Sequence, residues 1–279
     1  LVVGFDGLRH VQMRDEPHVR LVDAHAEGDG GDHDQCVLTQ EAGQATPTRV
    51  SSQGPFTYEF ASNTAKFSDR VLVTRPRQGR HRQELECNWL ALVFSQIADE
   101  QTPDGVIPAA AEEVNTDNSR GLLSRMELVT VRAMAKSSPN SPQRDRMKLT
   151  STEHGLVCEL DDMNYDAKRQ LLTLTDPGTV DVTRELDGHT QRFEAPTIEI
   201  RHRDRQLDQI SGMGKGRFTY RSHPDPKEIP DVWARWTERL DLIPQPHQGT
   251  TELTIRGAAT IRHRDQMQFS ASTITAWLL

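Results

Sequence analysis

One eight-position pattern recurs along the chain and restricts the possible folds more than any other feature. It runs apolar, any, small or apolar, any, any, apolar, any, apolar. The copies are Leu85-Glu-Cys87-Asn-Trp-Leu90-Ala-Leu92, Phe193-Glu-Ala195-Pro-Thr-Ile198-Glu-Ile200 and Phe269-Ser-Ala271-Ser-Thr-Ile274-Thr-Ala276. A looser fourth reads Cys158-Glu-Leu160-Asp-Asp-Met163-Asn-Tyr165. Alternation at period two places the apolar residues on one face of a β-strand. The two free positions in the middle would throw the second half onto the opposite face, because a one-residue slip inverts a strand. A β-bulge that absorbs the extra residue restores the register. The pattern therefore predicts a bulged strand at each copy.

Three copies follow another alternating segment: Phe67 to Val73, Gly178 to Val182, and Leu253 to Ile261. Polar turns such as Arg75-Pro76-Arg77-Gln78-Gly79 and Leu186-Asp187-Gly188-His189 lie between strands. The unit is an up-and-down pair of strands of about ten residues each. Repetition of that unit predicts an all-β fold, an antiparallel meander of quasi-repeats. Hydrophobic residues are 35% and aromatics 5%, below the roughly 45–50% apolar share of globular chains, a range that also counts Gly. Such a chain suits a thin or open structure. Residues 24–35, 99–121, 136–146 and 223–231 read as long loops. Within 233–242, Trp233, Trp236 and Leu240 fit a short helix, whereas Trp236, Leu240 and Leu242 fit a strand, which the neighbouring units favour. No break marks a domain boundary, so residues 1–279 are expected to form a single elongated β-repeat domain. The opening Leu1-Val2-Val3-Gly4 suggests a piece excised from a longer chain.

The net charge of −8 argues against nucleic acid as a partner, since phosphate binding needs a positive field. No apolar run reaches the roughly 18 residues of a membrane helix. Three cysteines without C-x-x-C spacing indicate neither a disulfide framework nor a zinc site. His25, Asp29, Asp32, His33 and Asp34 match neither zinc nor calcium ligand spacing, so no metal and no cofactor is expected. Gly212-Met-Gly214-Lys-Gly216 lacks the Gly-Lys-Ser/Thr ending of a phosphate loop and reads as a turn into Arg217–Tyr220. Two Ile-Arg-His-Arg-Asp copies, at Ile200 and Ile261, would form a small basic ladder through His202, Arg203, His263 and Arg264 if their strands were adjacent. No nucleophile–base motif is present, and catalysis is not expected.

The segment Leu156-Val-Cys-Glu-Leu160-Asp-Asp-Met163-Asn-Tyr165-Asp166, followed by Gln170-Leu-Leu-Thr-Leu174 and Val180-Asp-Val182, resembles the OstA-like family. These are periplasmic lipopolysaccharide-transport bridge proteins. The resemblance covers most of residues 56–279 as a pattern and residues 1–50 only weakly. It departs from the family where a Gly-Asn turn is replaced by Asp176-Pro177-Gly178 and Arg256-Gly257-Ala258, and in its long excursions. It implies a meander rolled into an open, V-shaped, jellyroll-like stack whose apolar inner face holds the acyl chains of an amphipathic lipid such as lipopolysaccharide. The groove residues it implies are Leu85, Leu90, Leu92, Phe193, Ile198, Ile200, Phe269 and Ile274. It further implies a place in the periplasm or cell envelope, and strand addition between modules of the same fold. The last strand suits such addition, because residues 269–279 contain no Pro, Gly or charge. The competing expectation is a structural or adhesive β-repeat module in which the same residues pack as a closed core and no ligand binds.

Overall fold

The computed structural model describes residues 34–38, 48–76, 81–96, 126–135, 146–152, 155–186, 188–203, 206–222, 230–245, 250–264 and 267–278. These residues contain no helix, and seventeen strands join in one antiparallel hydrogen-bonded sheet. Three long hairpins organise it: β4 (Thr64–Pro76) with β5 (Arg82–Gln96), β10 (Leu171–Leu186) with β11 (His189–Arg203), and β16 (Thr250–His263) with β17 (Met267–Leu278). The second strand of each hairpin is a copy of the repeated pattern. The expected antiparallel meander is the fold.

Each long strand except β17 changes neighbours midway. Leu171–Thr175 of β10 pairs with β9 (Asp162–Asp166), and Asp181–Arg184 pairs with β8 (Leu156–Leu160). Likewise β11 passes from β13 (Gly216–Arg221) to β12 (Gln206–Met213). β5 passes from β7 (Met147–Ser151) to β6 (Met126–Met134), and β16 from β15 (Arg239–Gln245) to β14 (Val232–Trp236). β4 passes from β3 (Phe56–Glu59) to β2 (Thr48–Ser52), outside which lies β1 (Asp34–Leu38). Two half-sheets result. The first runs β3-β4-β5-β6-β9-β10-β11-β12-β15-β16-β17, and the second β1-β2-β4-β5-β7-β8-β10-β11-β13-β14-β16-β17. Several short strands are rungs of the same kind, broken at the crossing: β8 and β9 by Asp161, β12 and β13 by Gly214-Lys215, β14 and β15 by Thr237-Glu238.

The double step of the repeated pattern lies at these crossings. Pairing skips Asn88 of β5 against Asp69 and Arg70 of β4, and Pro196 of β11 against residues 176–179 of β10. It skips Ser272 of β17 against Gly257 and Ala258 of β16. The expected bulge is thus found at the corner between half-sheets, and the additional residues sit on the partner strand. Asp69 (φ 58°), Arg70 (φ 46°) and Ala258 (φ 42°) take left-handed backbone there, at about 1–2 kcal/mol for a residue with a Cβ. Asp176 secures the widest corner: its Oδ1 accepts the N–H of Gly178 (2.6 Å) and of Thr179 (3.0 Å). Arg146 Nη2 donates to Asp176 Oδ2 (2.8 Å) and to the carbonyls of Glu159 (2.9 Å) and Thr179 (2.6 Å). The two turns that depart from the OstA-like pattern, Asp176-Pro177-Gly178 and Arg256-Gly257-Ala258, are both corner residues.

Inward residues of both half-sheets form one cluster that includes Phe67, Leu90, Met147, Leu160, Met163, Leu172, Ile198, Trp236, Leu240 and Ile255. The two faces meet closely at Gly212, and rungs of the second half-sheet crowd together at Gly216. A Cβ on Gly212, in the first half-sheet, would lie 2.6 Å from Phe193 Cζ in the second. One on Gly216 would lie 2.2 Å from Trp236 Cζ2 and 2.6 Å from the Glu194 carbonyl oxygen. The Phe193 and Trp236 rings pack with centroids 5.5 Å apart. Of the expected turn Gly212–Gly216, only Gly214-Lys215 turns, leading into β13, while Gly212 and Met213 end β12; Gly212 and Gly216 also make room for two aromatic rings. Residues 232–245 are strands, with Trp236 and Leu240 buried. The two Arg-His-Arg-Asp copies do not meet: His202 ends β11 in the first half-sheet and His263 ends β16 in the second. The loop expected at 99–121 lies outside the described residues, as do 24–33, 136–145 and 223–229 of the other expected loops, whereas Asp34 and Gln35 open β1 rather than ending a loop.

Gly216→Ala should destabilise the fold by about 1–3 kcal/mol, because the backbone carbonyl of Glu194 cannot swing away as a side chain can; thermal melting reads the loss. Ile198→Asp should cost about 3 kcal/mol or more, since it buries an unpartnered carboxyl in the shared cluster. A melting point equal to wild type would show that Ile198 does not face the interior.

Candidate functional site

Two regions bear on function: the interior shared by the half-sheets, and the last rung. Leu85 of β5 and Phe193 of β11 lie in the second half-sheet, while Leu90, Leu92, Ile198 and Ile200 lie in the first. All six belong to the common cluster and are between 1% and 9% exposed. The corners bring them together, since residues on either side of each corner turn inward. Ile274 of β17 packs against the same cluster from a partly buried position. Phe269, also on β17, does not: it is 60% exposed. Cys87 and Cys158 are buried members of the cluster, and burial pushes the Cys87 thiol up to about 12 and raises that of Cys158. Thiols held protonated in this way are small apolar side chains rather than nucleophiles.

The last rung differs from those before it. β17 pairs with β16 and with no other described strand, so among the described residues its far edge is unpaired. Within the second half-sheet, Phe269 pairs with Ile261 and Ala271 with Ala259. Ala259 is buried by its neighbours, whereas Phe269 and Ala271, one rung further out, are exposed. Met267 (51%) and Trp277 (62%) are exposed on the same strand. Edge strands are ordinarily blunted by Lys, Pro or an inward charge, and residues 267–278 have none of these. The lack of charge was visible in the sequence. The exposure of Trp277 and Met267 was not, because neither belongs to the repeated pattern.

On the outer faces the described polar groups are largely paired. Between β12 and β15, Asp241 accepts hydrogen bonds from Ser211 (2.6 Å), Gln209 (3.0 Å) and Arg239 (2.8 Å). Burial alone would raise its carboxyl, but these bonds and the Arg239 charge outweigh burial and hold it below the ordinary range. Asp231 is held down to about 2 by hydrogen bonds from Ser222, and it also accepts Arg264 Nε at 2.9 Å. The outer face of β13, β14 and β16 carries a run of cations around Trp233 that alternation alone did not single out, because the residues come from separate strands. Among the described residues no group of three or more His, Cys, Asp or Glu side chains could hold a metal. The side chains of the loop at 24–35 lie outside the described residues.

Because Asp241 is held below its unfolded value, its contribution to stability is present above the ordinary carboxylate range and is lost as pH falls through its folded value. Asp241→Asn should therefore be less stable than wild type at neutral pH, and the difference should shrink once pH drops below about 4; urea denaturation across a pH series measures it. Comparison with family models, with curated proteins and with solved structures finds no match for this chain.

Proposed function

We propose that this chain is a non-enzymatic cell-envelope module that extends end to end through its last rung into a module of the same fold, and that apolar surface at that junction takes the acyl part of an amphipathic lipid. The observation that carries the reading is β17, an uncharged edge strand with Phe269 and Met267 exposed. Pairing of that edge with another strand would satisfy its backbone groups, and a further rung would cover Phe269 as the inner rungs are covered. The resemblance of Leu156–Val182 to the OstA-like bridge family supports the same reading, as does the arrangement of inward apolar residues on two facing half-sheets. A periplasmic location and a lipid of the lipopolysaccharide type belong to this proposal.

A second reading is favoured by a different observation. Leu85, Leu90, Leu92, Phe193, Ile198 and Ile200 already pack against one another. On that reading the interior is a closed core, and the module is structural or adhesive without a ligand.

Phe269→Lys combined with Ala271→Lys separates junction from core, because both residues are exposed. The variant should melt like wild type while the self-association of wild type, read by sedimentation velocity, is lost. Lipids co-purifying with wild type, identified by mass spectrometry, should be depleted in the variant. Association with no co-purifying lipid would select the structural reading. A wild-type protein that stays monomeric and lipid-free would overturn both parts of the proposal.

A further inference from the structure

The outer face of the second half-sheet near its C-terminal end concentrates positive charge in a chain whose net charge is −8. Register fixes the arrangement. Arg217 of β13 lies directly opposite Arg235 of β14, Trp233 of β14 opposite Arg262 of β16, and Arg262 opposite Gln268 of β17. These side chains alternate with buried Ala234 and Trp236, so they stand on the face turned away from the interior. Like charges directly opposite one another destabilise a sheet, so a pair of arginines across a register calls for an anion nearby. For Arg217 that anion is Glu194, which accepts both Nε and Nη2. For Arg264 it is Asp231. Among the described residues no carboxylate pairs with Arg235 or Lys215.

Arg235 is instead held over the Trp233 ring, 4.2 Å from the guanidinium carbon to the ring centroid. That contact orients the guanidinium plane without neutralising it. Two hollows meet at this side chain. One, of about 450 Å³, is lined by Thr179, Glu194, Lys215, Gly216, Arg217 and Arg235. The other, of about 280 Å³, adds Pro230, Trp233, Arg262, Arg264 and Gln268. Around them stand five cations: Arg217 and Arg264 are paired with Glu194 and Asp231, Arg262 Nε donates to the Arg264 carbonyl (3.0 Å), and among the described residues no carboxylate pairs with Lys215 or Arg235.

We propose that this face is a binding site for a phosphate-bearing sugar, with Arg235 and Arg262 gripping the phosphoryl oxygens. Guanidinium forks match a phosphoryl group by charge and by geometry. The hollows have more room than the phosphoryl group needs, and the Gln268 amide and the Thr179 hydroxyl supply neutral partners of the kind that sugar hydroxyls use. The site lies on the opposite side of the half-sheet from the interior, and it stands or falls independently of the lipid reading.

The test titrates the whole chain with glucosamine 6-phosphate, glucosamine and inorganic phosphate, reading amide chemical shifts on β13, β14 and β16. The phosphorylated sugar should bind more tightly than inorganic phosphate, and glucosamine should not bind. Arg235→Gln and Arg262→Gln, both at exposed positions, should each weaken binding by about tenfold or more, as loss of a charge-assisted hydrogen bond does. Arg169→Gln, on a distant turn, should change nothing; circular dichroism confirms that each variant folds. Shifts confined to other strands, no binding by either phosphate compound, or full affinity in both Arg235→Gln and Arg262→Gln would overturn the site. Equal binding of inorganic phosphate and the sugar phosphate, or displacement of the sugar by a single-stranded oligonucleotide at lower concentration, would overturn the assignment to sugars.

Discussion

The fold depends on one constraint: a strand must turn a corner without exposing its apolar face. A strand that stays in one sheet keeps its inward residues at every second position. A strand that passes between two facing half-sheets has to present inward residues on both sides of the bend. Two free positions between Cys87 and Leu90, or between Ala195 and Ile198, meet that need. The partner strand then has the longer path around the bend, and it supplies the additional residues, one of them a left-handed glycine at 257. Asp176 and Arg146 tie down the widest of these detours. The corners hold the two inner faces against each other, and from that contact follow both the shared core and the outer faces left to solvent.

The strands and their inward residues were legible because the repeated pattern is a local signal, and four copies of it reinforced one another. The pattern also located four of the corners, at Asn88, Asp161, Pro196 and Ser272, three of them as register shifts in long hairpins. Which strand carries the surplus residue, and who pairs with whom beyond it, is not written in the strand's own sequence. The exposed end at Phe269 was half legible: the absence of charge marked an edge, but its exposure depends on there being no described rung beyond β17. The cationic outer face was not legible at all. Arg217, Trp233, Arg235 and Arg262 are separated by up to 45 positions in the chain, and only the register of β13, β14 and β16 sets them side by side. The Arg-His-Arg-Asp copies show the converse, since similar words in the sequence fall in different half-sheets.

Inner and outer surfaces obey different rules in this protein. Inside, the residues that recur in the pattern are interchangeable apolar side chains, with glycines where Phe193 and Trp236 need room. Outside, charged residues are matched individually across rungs, as Arg217 is to Glu194 and Arg192 to Asp181. A binding role on the outside is therefore open to single substitutions that leave the core untouched.

The alternation of rungs also fixes how copies can join. An even number of antiparallel steps separates β3 from β17 in the first half-sheet, so these two outermost described strands run in the same direction. In the second half-sheet the outermost described strand opposite β17 is β1, which runs the other way. A head-to-tail filament would need a parallel seam along one half-sheet and an antiparallel seam along the other. Two β17 strands related by a two-fold axis would be antiparallel along their whole length, and that arrangement closes at a dimer.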